Sequence, residues 1–377
     1  MIQDPNIHYL DNAATTMVAP EVADVIDKAM REHWANPSSL YGPGARSEEA
    51  LNAARAAVAR TLGCKSRELY FTSCGSESNN LALLGAVRTR TFGKGIVVSG
   101  FEHPSVQRPL EELAKQGYNV TVVKPRPDGT LNINEMLEHV DKNTILVACM
   151  MVNNEVGTRN DVERLAAEVK RRNSRTIVHV DAVQAWMRVP IKLTNIDTLS
   201  VSGHKIHAPK GIGALYLRQG TKFAGGQIGG GQEKNLRSGT TNTPGIMGME
   251  AAVRNYLDNI DEYRCAMRSC KMRLAKNLTE LPDVLLNGPA PEQGAPHILN
   301  ASFMGVRGEV LLHALEEKEI YVSTGSACSA HKKGRNRILN AMGVIGDRQE
   351  GAIRFSFCPF NTCLLYTSPS PRDSTSS

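Results

Sequence analysis

Between residues 68 and 201, short apolar runs alternate with longer helix-patterned segments, and this alternation limits the fold more than any other feature of the chain. The strand-like runs are 68–72, 95–99, 119–124, 144–151, 176–180 and 196–201, and helical spacing occupies 77–91, 106–116, 133–140 and 162–172. Two parallel strands need a long crossover, for which a helix is the usual solution. The pattern therefore predicts βαβ units, hence an α/β fold with a mostly parallel sheet and helices on both faces.

The flanks read differently. Upstream, helical spacing at 22–33 and 45–62 is separated by a Pro/Gly/Ser loop at 36–44. Downstream, a long helical pattern runs from near Pro244 to about Glu280 with a break around Asn259, and strand-like stretches 297–303 and 319–322 flank a helix at 308–317. This is the pattern of a second, smaller α+β domain, and 377 residues with 41% apolar content suffice for both cores.

A net charge of +6 without a long arginine-rich block makes nucleic acid an unexpected partner; a small basic cluster does stand out at 331–337. No apolar run has the length of a membrane span, and residues 1–6 carry neither a basic nor an apolar signal region, so a cytoplasmic protein is expected. The eight cysteines show no metal-type CxxC pairing, and in a reducing compartment most are expected to be free thiols.

In α/β folds the chemistry gathers at the carboxyl ends of the strands. Lys205 stands at such an end, between the apolar run 196–201 and a Pro/Gly turn in Val201-Ser202-Gly203-His204-Lys205. Its amine can form a Schiff base with an aldehyde cofactor if burial or a neighbouring cation lowers its pKa; locally, it also reads as one of 44 basic residues on a solvated face. Asp181 closes the run Ile177-Val178-His179-Val180, with Gln184 close behind. Pyridoxal phosphate (PLP) needs such a carboxylate, because its ring accepts electrons well only while the pyridinium nitrogen keeps its proton. Gly75-Ser76-Glu77 opens a helix after a strand, which suits an anion site or an ordinary N-cap.

Further motifs extend the pattern: Tyr9-Leu10-Asp11-Asn12-Ala13-Ala14-Thr15-Thr16, Asn36-Pro37-Ser38-Ser39, Glu102-His103-Pro104-Ser105-Val106 and Asn153-Asn154-Glu155-Val156-Gly157. Arg237-Ser238-Gly239-Thr240, Ser323-Thr324-Gly325-Ser326-Ala327-Cys328 and Ile353-Arg354-Phe355-Ser356 follow. In this order the motifs resemble the fold-type I PLP enzymes of the class-V aminotransferase family, and more closely the cysteine desulfurases of the NifS/IscS class, over residues 8–362.

The resemblance implies a large PLP-binding domain at 14–255 and a small domain formed by 1–13 and 256–362, which carries a cysteine loop. It implies a homodimer in which Gly75, Ser76, Ser202 and His204 hold the cofactor phosphate, with Thr240 lent across the interface. His103 would stack on the pyridine ring, Asp181 pair with its nitrogen, and Gln184 and Asn154 meet its phenolic oxygen. Lys205 would hold the cofactor and move the substrate's α-proton, while Arg354, Asn154 and Asn36 would meet the substrate carboxylate. Cys328 would accept sulfur from L-cysteine as a persulfide, releasing L-alanine, and pass it to an iron–sulfur scaffold or a tRNA-thiolating enzyme. No resident metal is implied, although Cys328 could ligate a nascent iron–sulfur cluster during transfer.

Within the class the alternatives are a selenocysteine lyase, or an aminotransferase that would need no thiol at Cys328; outside it, a non-enzymatic subunit that has kept the fold. Cys74 and Ser76 stand where the family more often has Gly and Thr, Tyr41 where many relatives have His, and the basic segment 331–337 also departs from its pattern. The family's acidic amphipathic helix is expected after Thr362. Residues 363–377 instead read as a Ser/Thr/Pro-rich stretch without helical period, resembling translated adaptor sequence, and are set aside from the fold.

Overall fold

A computed structural model describes residues 7–325 and 336–362. Strand β1 (His8–Tyr9) leads into helices α1 (Pro20–Glu32) and α2 (Gly42–Leu62). The alternating region follows as β2 (Leu69–Thr72), α3 (Gly75–Val87), β3 (Gly95–Ser99), α4 (Pro104–Lys115), β4 (Asn119–Val123), α5 (Ile133–Glu138), β5 (Thr144–Met150), α6 (Val162–Arg172) and β6 (Ile177–Asp181). It closes on β7 (Thr198–Ser202) and β8 (Gly213–Leu217). Then come α7 (Thr243–Asp258), α8 (Ile260–Thr279), β9 (Val284–Asn287), β10 (Ile298–Phe303), α9 (Gly308–Glu316), β11 (Ile320–Tyr321), α10 (Arg337–Ala341), α11 (Gly346–Glu350) and β12 (Ala352–Ser356).

Seven strands form one sheet in the order β2-β8-β7-β6-β5-β3-β4. It is parallel from β4 through β7, and β8 runs antiparallel to both its neighbours. Every residue of β5, β6, β7 and β8 is buried, as expected of strands covered on both faces. A second, antiparallel sheet has the order β12-β10-β9, and β1 pairs in parallel with β11.

Local chemistry explains several of the element ends. Helix α6 starts where Asp161 accepts a hydrogen bond from the Arg164 N–H at 3.0 Å, and it ends on Lys170, Arg171 and Arg172, which complement the carbonyl end of the helix dipole. The expected break at Asn259 is real: α7 stops at Asp258 and α8 begins at Ile260. The loop expected through Gly44 is shorter than predicted, because α2 already begins at Gly42. Pro43 sits in its first turn, where a missing N–H costs nothing. Strand β9 and helices α10 and α11 carry too few residues to show a period, and sequence pattern did not reveal them.

Candidate active site

The parallel strands end on one side of the large sheet and deliver their terminal residues to a common cavity of about 230 Å³. Asp181 is the last residue of β6, Ser202 the last of β7 and Met150 the last of β5, and all three line it. The N-terminus of α3 brings Gly75 and Ser76 to one wall, and His103 and Asn154 come from the loops that follow β3 and β5. Gln184, His204, Lys205 and Arg354 complete the predicted residues gathered here. The cavity shares Ser76, His103, Ser105 and Asn154 with a wider groove of about 1140 Å³ that runs along α4 to Arg337.

Two predicted residues lie elsewhere. Thr240 is exposed beside Arg237 and Asn242 in a separate pocket, and Asn36 is exposed, its Oδ1 accepting from the Ser38 N–H at 3.0 Å. Cys328 lies outside the described residues.

Lys205 belongs to a single 3₁₀ turn, Gly203–Lys205, at the end of β7, and only 9% of it is exposed. Its Nζ donates to the carbonyls of Ala13 and Ala14 at 2.7 and 2.6 Å. Burial, reinforced by the Arg354 and Arg188 guanidiniums, lowers its pKa to about 7, so a large share of the amine is neutral and nucleophilic near neutrality.

Asp181 is held from two sides: Oδ2 accepts from Asn79 Nδ2 at 2.8 Å and Oδ1 from the Val183 N–H at 2.9 Å. Gln184 donates from Nε2 to the Ala13 carbonyl at 2.9 Å, while its Oε1 lies 3.2 Å from His297 Nε2. His103 caps α4, its Nδ1 accepting from the Ser105 N–H at 3.1 Å. Burial lowers the pKa of His103 against the opposing pull of Asp181, keeping the ring neutral. His204 is likewise pushed down, to about 3, by burial and by the charge of Lys205, and its Nδ1 meets Thr15 Oγ1 at 3.1 Å.

Arg354 sits in the middle of β12 and is 1% exposed. One arm of its fork donates to Asp11 Oδ1 at 2.7 Å and the other to the Asn154 carbonyl at 3.0 Å, with Glu155 Oε1 4.0 Å away. Its Nε is buried without a protein partner.

Residues 8–363 match the class-V aminotransferase family. The chain belongs to this family. A cysteine desulfurase of Trichormus azollae is 39% identical over 360 residues, covering 95% of this chain and 89% of that protein. A solved NifS-like protein superposes with a TM-score of 0.88 at 36% identity, covering 94% of this chain and 95% of its own. SspA, solved in complex with cysteine, gives a TM-score of 0.82 at 29% identity, covering 94% of this chain and all of its own.

Class-V enzymes use PLP, and the cavity of this family member fits that group. At the α3 N-terminus the first backbone N–H groups have no intrahelical partner, which is what a phosphate requires. A Cβ added to Gly75 would sit 2.6 Å from Val183 Cγ2, so only glycine lets the backbone close in at this point. The Ser202 hydroxyl is buried without a partner beside that helix end, a donor left for a ligand. The same cavity is lined by a carboxylate, Asp181, which suits a protonated ring nitrogen, and by the buried amine of Lys205, which suits an aldehyde carbon.

Several residues on which the site depends were not singled out from the sequence. Ser105 and Asp11 lie inside motifs that were noticed, but nothing local separates them from their neighbours. Asn79 and His297 are buried polar residues that gain meaning only from partners far along the chain.

Proposed function

We propose that this chain is a PLP-dependent cysteine desulfurase that converts L-cysteine to L-alanine and leaves the sulfur on Cys328 as a persulfide. The observation that carries the reading is the pairing, in one cavity, of a buried low-pKa lysine with a buried arginine fork, in a chain 39% identical to a cysteine desulfurase. Gly75, Ser76, Ser202 and His204 would hold the cofactor phosphate, Asp181 and Gln184 the ring, His103 its face, and Lys205 its aldehyde carbon. Bound there, PLP supplies an electron sink for chemistry at the substrate's α-carbon.

The chain's own residues do the rest. Arg354 binds the α-carboxylate as a planar fork, helped by Asn154 and, in the assembled enzyme, Asn36. The Lys205 amine takes the α-proton and returns a proton to carbon. The Cys328 thiolate bonds to the substrate sulfur as the Cβ–S bond breaks, so the sulfur leaves on the enzyme and the carbon skeleton leaves as alanine.

We further propose a cytoplasmic homodimer in which Thr240 reaches the partner's cofactor, with the persulfide sulfur passing to an iron–sulfur scaffold or a tRNA-thiolating protein. No described helix is long and apolar enough to cross a membrane. A large domain at 14–255 and a small one at 1–13 plus 256–362 are supported by the sheets: β2 to β8 fall in the first, and β9 to β12, with β1 paired to β11, in the second.

The test is turnover of L-cysteine with excess thiol reductant, reading alanine and sulfide together. Equal amounts of both are expected. Cys328→Ser should keep the cofactor absorbance and its change on adding cysteine, yet lose alanine formation. A Ser variant that turns over at the parent rate, or keto-acid production in place of alanine, would overturn the reading in favour of an aminotransferase.

A further inference from the structure

We infer that Asn79 is a positioning residue that joins Asp181 to His103 through one directional hydrogen-bond chain and so sets which nitrogen of His103 carries the proton. Asn79 lies in the second turn of α3, the helix whose N-terminus meets the cavity, and is 1% exposed. Its Nδ2 is 2.8 Å from Asp181 Oδ2 and 2.9 Å from Ser105 Oγ, and its Oδ1 is 3.1 Å from His179 Nε2. Beyond these, His179 Nδ1 meets Thr198 Oγ1 at 3.0 Å, and Ser105 Oγ meets His103 Nδ1 at 2.8 Å.

Donor chemistry orders the whole chain. A carboxylate only accepts, so the amide nitrogen of Asn79 must face Asp181, and a flipped amide would set two oxygens 2.8 Å apart. The amide oxygen then faces His179 and also only accepts, so His179 carries its proton on Nε2, and its Nδ1 accepts from the Thr198 hydroxyl. Burial agrees with a neutral ring there, pushing the pKa of His179 down to about 3.

At the other end, the second Nδ2 hydrogen goes to Ser105 Oγ, which frees the Ser105 hydroxyl proton for His103 Nδ1. The Ser105 N–H already points at the same nitrogen at 3.1 Å. Two donors on Nδ1 leave Nε2 as the protonated position of His103 and the nitrogen through which that ring can serve the cavity. One amide thereby orients the carboxylate meant for the ring nitrogen, at the end of β6, and the imidazole meant for the ring face, in the loop before α4.

This inference rests on the cofactor site and not on the identity of the substrate. The first measurement uses the cofactor-free protein with ¹⁵N-labelled histidine. His103 and His179 should both show neutral rings protonated on Nε2, with His179 unchanged from pH 6 to 9. A His103 ring protonated on Nδ1 would overturn the proposal, whether or not the enzyme acts on cysteine.

The second uses Asn79→Asp in the loaded protein. It keeps the size of the side chain but removes both donors and puts a second carboxylate against Asp181, where like charges at this separation share a proton. The cofactor absorbance should then titrate between pH 6 and 9 in a way the parent's does not, and the PLP dissociation constant should rise roughly tenfold. Asn79→Leu should weaken PLP binding without the new titration. Parent-like absorbance and affinity in Asn79→Asp would overturn the proposal. Loaded protein with this signature but without alanine formation would instead count against the desulfurase reading alone.

Discussion

Lys205 and Arg354 are both nearly excluded from solvent, at 9% and 1% exposure, yet the two sides of the cavity surround them with opposite chemistry. At the strand ends of the large sheet, Lys205 meets two neutral carbonyls and the field of two arginines, and burial dominates. On the three-stranded sheet, Arg354 meets the carboxylates of Asp11 and Glu155. A base that must give up its proton makes no ion pair among the described residues, and the pull of Asp11 and Asp181 on it is outweighed by burial and the two arginines. A cation that must stay charged, by contrast, has two carboxylates within 4.0 Å. Burial alone does not decide what a basic residue does; its partners decide it.

The largest effect expected along this divide is at Lys205. Lys205→Ala should abolish borohydride fixation of the cofactor and lower turnover roughly 10³-fold or more, as read by peptide mapping and steady-state rates. Retained label at the same site would mean that another amine holds the cofactor. Arg354→Lys keeps the charge but loses the planar fork, so the KM for cysteine should rise roughly 10- to 100-fold while PLP absorbance and affinity stay near the parent's. A parallel loss of PLP affinity would show that the two sides are not separable.

The pH dependence of cofactor capture is subtler. Only the neutral amine attacks an aldehyde, so the capture rate of cofactor-free protein should climb about tenfold per pH unit below about 7 and level off above it. A stopped-flow series that keeps climbing to pH 10 would mean that Lys205 is an ordinary lysine.

The smallest effect concerns Glu155, a buried carboxyl whose pKa is raised from 4.5 by burial against the pull of Arg354. A folded-state pKa above the unfolded one means that the contribution of this group to stability falls as pH rises through that window. Glu155→Gln should therefore gain melting temperature relative to the parent as the pH is raised above 4.5, by about 1–2 °C. A gap that narrows with pH would show that the Arg354 pair outweighs burial.

Much of this was legible in the residues themselves. The alternation of β-branched runs with helical spacing determined the parallel sheet, because strand and helix periods are local properties, set within a few residues of any point. Lys205, Asp181 and Gly75-Ser76 were recognisable for a related reason: each ends a strand or opens a helix, and such ends are where α/β folds leave side chains and backbone N–H groups uncommitted. The break at Asn259 was likewise a local interruption of a period.

What holds those residues was not legible. Asn79 meets Asp181 across 102 positions, Lys205 meets Ala13 across 192, and Arg354 meets Asp11 across 343. No pattern within a window of residues encodes such pairs; they exist because crossovers carry successive strand ends to one edge of the sheet and β12 is brought beside the Asp11 segment. The tertiary structure alone also decided how wet each group is, and so which polar atoms needed partners. That turned the lysine of a sequence motif into an amine with a pKa near 7, and two arms of a surface-type residue into a buried carboxylate-held fork.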